Sequence, residues 1–198
     1  MSKNILPLMI VLIAWILLGY AFQSRGNFWV LFPLVQGGLL LFALVKGKLL
    51  LRILSKKQIA IGIGSGILLF GLFAFGKLLV LVFMPGLFEG LESLYGLISP
   101  EIWWHTLIVF TIIIPAEEFF WRGYVQNRLS GSVSFRLGIS VLLYALAHLA
   151  SGSILLAWAA LIAGFTWGIL YEKTKNILVP LLSHLAFDLL LFLIFPLM

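Results

Sequence analysis

An all-α, polytopic bundle of about seven transmembrane helices is the fold class that the sequence predicts. Two observations lead there. Apolar residues make up 63% of the 198-residue chain and charged residues only 10%, with a mean hydropathy of +1.17. The apolar residues also fall into long runs separated by short polar or basic breaks, the pattern of membrane spans and not of a soluble core. The length suits a single integral-membrane domain, residues 1–198. Cysteine is absent, which excludes a disulfide framework, a thiolate nucleophile and a Cys-ligated metal. A net charge of +6 raises nucleic acid as a partner. The basic residues are scattered at breaks between apolar runs, however, so they read as topology signals beside a lipid bilayer and not as a nucleic-acid surface.

The spans follow in order. Ile5–Phe22 lies behind Lys3. Gly19-Tyr20-Ala21 gives it a small-x-small signal-peptidase site, but a second span, Phe28–Val45, follows at once and favours a retained helix. Lys46 to Lys57 is the most basic connection. Ile59–Phe83 is the third span. Its Gly62-x-x-x-Gly66 reads as a helix-packing face, because no strand precedes it as a phosphate-binding loop would need. Lys77, near the end of this span, is expected to snorkel outward. Met84–Ile102 reads as an outer loop, with Pro85, Pro100 and the acids Glu89, Glu92 and Glu101. Together, residues 1–102 form the N-terminal spans and this loop.

Trp103-Trp104-His105 opens the fourth span, with the tryptophans as interface anchors and His105 as an interfacial histidine. That span carries Glu117, Glu118 and Arg122. A short fifth span covers Leu137–Ala150 and a sixth Ile154–Tyr171, whose Gly164 and Gly168 form another packing face. Ile177–Phe195 is the seventh. With the N-terminus inside, 11 of the 13 Lys and Arg residues fall in cytoplasmic segments. Arg25 alone lies in an outer loop and Lys77 within a span. The positive-inside rule therefore predicts a cytoplasmic N-terminus and an outer C-terminus.

Ionisable groups at membrane depth are costly and mark functional sites. Glu118 and Arg122 are an i,i+4 pair in the favourable order. Glu117 lies about 100° around the helix, without that partner. One acid neutralised beside one left to titrate suits a general base. Tyr144/His148 and His184/Asp188 are two further i,i+4 pairs, on later spans. Counting ~1.5 Å per residue from the cytoplasmic ends puts Glu117 at ~8 Å, His184 at ~10 Å, and His148 and Asp188 at ~17 Å. In lipid such groups must face one another or a wet cavity.

Glu117-Glu118-x-x-x-Arg122, Tyr144-x-x-x-His148 and His184-x-x-x-Asp188, in this order and on separate spans, resemble the CAAX protease and bacteriocin-processing (CPBP) family of glutamic intramembrane endopeptidases. The family pattern is Glu-Glu-x-x-x-Arg, Phe-x-x-x-His and His-x-x-x-Asn or Asp. The resemblance covers residues 103–195, the expected catalytic core. It implies an endopeptidase that needs no metal and no cofactor. Glu117 would be the general base and His148 would help hold the water. Glu118 and Arg122 would brace the site. His184 and Asp188 would stand where the oxyanion is stabilised. Its partner would be a peptide or protein substrate, lipid-modified or of the bacteriocin-leader kind, and the chain's brevity suggests a bacterial plasma-membrane member. Tyr144 replaces the family's Phe, adding a hydroxyl that needs a partner. Asp188 stands where many members carry Asn. Ionised, it cannot donate to an oxyanion, so it either is protonated or orients His184 by accepting from the ring.

Three other readings remain open at this stage. Glu117, His148, His184 and Asp188 are chemically suitable zinc ligands for a membrane metalloprotease. The same residues suit a small proton-coupled transporter, although the repeated halves usual there are missing. A non-catalytic immunity protein is the third.

Overall fold

The computed structural model describes residues 4–197, without the side chains of Arg25 and Phe88; Lys3 and the Arg25 side chain, both counted in the charge asymmetry, lie outside the described residues. Among the described residues the chain is all-helical, with eight helices and no strand. They are α1 (Ile5–Gln23), α2 (Phe28–Lys46), α3 (Lys56–Phe83), α4 (Phe88–Ile98), α5 (Trp103–Gln126), α6 (Val133–Leu149), α7 (Ile154–Thr174) and α8 (Leu178–Ile194). Seven of them fall on the expected spans, with ends shifted by a few residues.

Length and composition qualify α1, α2, α3 and α7 as membrane-crossing helices on their own. These four carry much of the exposed large apolar surface, including Ile16, Leu34, Leu68 and Trp158. The buried positions are rich in small residues instead, such as Ala14, Ala43, Ala116, Ala147 and Ala163. That inversion suits a bundle in lipid, where close backbone approach and polar contacts drive packing. The helices with the ionisable motifs, α5, α6 and α8, are shorter or less apolar, because their polar faces turn inward.

The segment expected to be an outer loop contains α4. Its apolar positions Leu91, Leu94, Tyr95 and Ile98 recur at helical spacing and face a cavity in the bundle, while Glu89 and Glu92 are exposed. Scattered acids had suggested a solvated loop; they are the outer face of an amphipathic helix. α4 meets α5 at 88°, across Ser99-Pro100.

Two glycine pairs set the closest contacts. α3 packs on α8, where a Cβ at Gly66 would stand 2.4 Å from the Ser183 carbonyl oxygen and one at Gly62 would stand 3.0 Å from Leu182 Cβ. α7 packs on α6, and Cβ atoms at Gly164 and Gly168 would meet Tyr144 Cδ1 at 2.8 Å and Leu137 Cδ1 at 2.5 Å. Both expected packing faces are thus real. Residues 48–52 are stitched to the base of the bundle. Lys48 N–H donates to the Gly123 carbonyl, Ile177 N–H to that of Leu50, and the buried Asn176 side chain to that of Arg52.

α5 is continuous but not uniformly α-helical. Val109–Ile113 and Glu118–Gln126 are π-helical, as is Leu190–Ile194 at the end of α8. Pro115 lacks an N–H, so the ladder re-registers around it, and the Ile114 N–H bonds the Val109 carbonyl five residues back. Such wide turns re-aim side chains and often occur at functional sites.

The α3–α8 contact makes a testable distinction. Gly66→Ala should destabilise the protein by about 1–3 kcal/mol through overpacking. Gly64→Ala on the same helix, where a Cβ would meet nothing within 4 Å, should leave stability unchanged or raise it. Thermal unfolding of the two variants in detergent checks this, and equal melting temperatures would refute the packing role.

Candidate active site

The adjacent acids of α5 point to different partners. Glu117 faces α2 and α6. Its Oε1 accepts from Gln36 Nε2 at 3.1 Å and lies 3.8 Å from His148 Nε2, and its Oε2 accepts from the Tyr144 hydroxyl at 2.5 Å. Glu118 faces α8. Its Oε1 lies 3.3 Å from Arg122 Nη1 and 2.9 Å from His184 Nδ1. Arg122 also donates to the Gly164 carbonyl at 3.3 Å and stacks on the Tyr144 ring, 4.7 Å from its centroid. Glu118 and Arg122 are 0% and 2% exposed, and neither reaches the cavity. The arginine therefore pairs only the second acid, as the spacing implies.

Tyr144, expected to need a partner, finds it in Glu117. His148 is oriented by its own helix, with Nδ1 2.8 Å from the Tyr144 carbonyl oxygen. That contact assigns the proton to Nδ1, because a carbonyl only accepts. It leaves Nε2 toward Glu117. On α8, His184 is pressed against the Trp167 ring, centroids 3.6 Å apart and planes 18° from parallel. Its Nε2 lies 3.5 Å from Asp188 Oδ2, at the limit of a hydrogen bond. Asp188 was one candidate to orient this ring; the shorter contact belongs to Glu118.

Glu117, Tyr144, His148, His184 and Asp188 share the wall of one cavity of about 420 Å³, otherwise lined mainly by apolar residues such as Phe32, Ile113 and Phe187. All six residues singled out in the sequence thus meet across three helices, four around the cavity and two behind it. Among the described residues, no three His, Asp or Glu side chains are placed to hold one metal ion. His105, expected at the interface, is buried and stacked on Trp29 with centroids 3.9 Å apart. It does not line the cavity.

Sequence reading missed Gln36 and Trp167. Gln36 is 2% exposed, and its Oε1 is buried without a hydrogen-bond partner. It stands alone as an uncharged polar side chain in the apolar run of α2, which was the available signal: such a group in a span faces inward. Trp167 carries no sequence signal beyond its helical spacing from Gly164 and Gly168.

A helical membrane bundle with buried carboxylates and histidines around an apolar cavity is the class that fold and site define. Residues 99–190, a little under half of the chain, match the family model described as type II CAAX prenyl endopeptidase Rce1-like. That segment contains all six residues, and the match supports the resemblance to the CAAX protease family that the motifs carry. The match points to a peptide hydrolase acting on a peptide or protein, and with the apolar helices it makes the chain an integral membrane protein. Comparison with curated proteins and with solved structures found no match.

The burial of Glu118 yields a stability test. Arg122→Ala leaves an uncompensated carboxylate in the interior and should cost about 3–5 kcal/mol. Adding Glu118→Gln should recover part of the loss, because the stranded charge is removed as well. Melting of the single and double variants in detergent checks this. A double variant no more stable than the single one would count against the ion pair as the cause.

Proposed function

We propose that the chain is an intramembrane endopeptidase in which Glu117 and His148 activate water against a peptide carbonyl. The observation that carries this reading is the 3.8 Å approach of Glu117 Oε1 to His148 Nε2 in the wall of a largely apolar cavity. In this mechanism a water sits between the two side chains. Glu117 takes its proton as the oxygen attacks, and the same proton later passes to the leaving amine. Gln36 and Tyr144 are positioning residues that fix the carboxylate plane.

His184 and Asp188 stand on the other side of the cavity, where the tetrahedral oxyanion is stabilised. Glu118 and Arg122 do not touch the substrate. They hold the His184 ring and balance charge. The catalytic unit is residues 103–195, with residues 1–102 supplying Gln36 and much of the cavity wall. Removing one oxyanion donor typically costs about 2.7–4 kcal/mol of transition-state stabilisation, which sets the scale for His184.

The N-terminus is cytoplasmic and the C-terminus outside in this reading, supported by the ten basic residues that remain on one side once Arg122, buried beside Glu118, is set aside. Phe22, Phe28 and α4 then lie toward the outer face, so the cavity is reached from that side. The substrate is a peptide segment held at the membrane.

Two experiments test the proposal. Glu117→Gln should abolish cleavage, measured by comparing peptides released from cells carrying the native and variant chains, while the melting temperature stays close to the native value. A chelator should leave the native enzyme active. Activity lost with bound zinc and regained on its return would replace the glutamic mechanism with a metal one.

Orientation is tested separately, by single cysteines introduced into the cysteine-free chain. A cysteine beside Lys48 should react with an impermeant reagent only after the membrane is opened. One at Glu89 should react in intact cells. The reverse pattern would overturn the topology.

A further inference from the structure

Helix α4 falls in the stretch expected to be a loop and outside the residues that match the family model. Of the residues it turns to the cavity, Leu91, Leu94 and Ile98 are apolar, and the fourth is Tyr95. Tyr95 is 5% exposed, and a phenol buried in an apolar wall ordinarily finds a partner for its O–H. The Leu197 backbone N–H approaches its oxygen. An N–H donates, so that contact uses the oxygen as acceptor and leaves the hydroxyl proton to be given elsewhere. Among the described residues none accepts a hydrogen bond from it. Tyr144, across the cavity, differs in this respect, because its hydroxyl already donates to Glu117.

Packing places that unspent donor beside the chemistry. The Tyr95 ring meets Phe192 edge-on, with centroids 6.4 Å apart and planes 70° from parallel. On α8, Phe192 follows Asp188 by one turn and His184 by two, so the three share one helix face. All three line the cavity. The Phe192 anchor is ~6 Å beyond Asp188 along the helix. From there the phenol lies within electrostatic reach of the Asp188 carboxylate. α4 thus carries a donor to the side of the cavity where the proposed mechanism forms the oxyanion.

We infer that Tyr95 is a further catalytic residue, whose hydroxyl donates a hydrogen bond to the peptide carbonyl oxygen as it becomes the oxyanion. The inference rests on the endopeptidase reading and adds to it a donor from a helix that the sequence motifs do not reach. Tyr95 forms no covalent bond, and its proton stays on the phenol throughout. It acts with the His184–Asp188 pair, so the oxyanion is met from α4 as well as from α8.

The test compares the native chain with Tyr95→Phe in detergent, a change that keeps the ring against Phe192 and removes only the donor. With an internally quenched apolar peptide as substrate, Tyr95→Phe should lower kcat about 100-fold, the scale of one lost oxyanion donor. KM should stay at the native value, the pattern of an interaction made only in the transition state. The melting temperature should not move. The binding probe is a fluorescent form of the same peptide ending in an aldehyde, whose hydrate is tetrahedral, and the control ends in an amide. Fluorescence anisotropy should show the native chain binding the aldehyde about tenfold tighter than the amide, the scale of a strong hydrogen bond. Tyr95→Phe should erase most of that preference.

An unchanged kcat or a loss confined to KM would overturn the assignment. So would a fall in kcat matched by a fall in melting temperature, which would make Tyr95 a packing residue. Cleavage and aldehyde binding both indifferent to Tyr95→Phe would sink the donor alone. Tyr95-dependent aldehyde binding by a native chain that cuts no peptide would sink the endopeptidase reading and leave the donor standing. A native chain with neither cleavage nor aldehyde preference would sink both.

Discussion

The constraint on which the structure depends is the cost of putting two neighbouring carboxylates at membrane depth. Like charges on adjacent residues repel, and neither can be hydrated by lipid. The chain meets this by turning the two acids to opposite partners. Glu118 is shut into the interior against Arg122 and His184. Glu117 faces the cavity with hydrogen bonds from Gln36 and Tyr144. Only a helix can aim consecutive side chains about 100° apart while satisfying its own backbone. The surrounding helices then have to bring their polar groups to those two directions.

Much of the bundle serves that delivery. Gly164 lets α7 approach α6 and also supplies the carbonyl that accepts from Arg122. Gly66 lets α3 lie against α8 at Ser183, next to His184. Trp167 closes the remaining side of the imidazole. Beyond the site, Gln126 ties the end of α5 to the Gly168 carbonyl and to Glu172, which also meets Arg136 and Lys175. This second polar cluster fixes the helix ends on the basic side of the protein, where charge costs less.

What was legible in the sequence and what was not divide along physical lines. Seven helices, two glycine faces and the Glu118–Arg122 pair follow from local spacing, because hydropathy and the 3.6-residue period act within one segment. Gln36 and the Glu118–His184 bond join residues 81 and 66 apart. No period within a segment encodes such pairs. α4 was missed because its Glu residues and flanking prolines outweighed the Leu91, Leu94, Ile98 spacing. The place of Lys77 on the cavity wall was not legible either, because a lysine near a span end ordinarily reaches outward. Here the face it occupies is set by α3 packing on α8, a tertiary fact.

The departure at Asp188 is where geometry adds most to the motif. Glu118, held by Arg122, accepts from His184 Nδ1, so the ring's orientation does not depend on Asp188. Nε2 is then the nitrogen left toward Asp188 Oδ2. An Nε2 without a proton only accepts, and an ionised carboxylate also only accepts. The two can approach favourably only with a proton between them, carried either by the imidazolium or by the carboxylic acid. In the proposed mechanism the His184–Asp188 pair shares one proton in this way. In the proposed mechanism that proton faces the developing oxyanion, which is the donor that Asn would provide through its amide. In that mechanism Asp in place of Asn keeps a donor at this position, supplied by the His184–Asp188 pair and not by Asp188 alone.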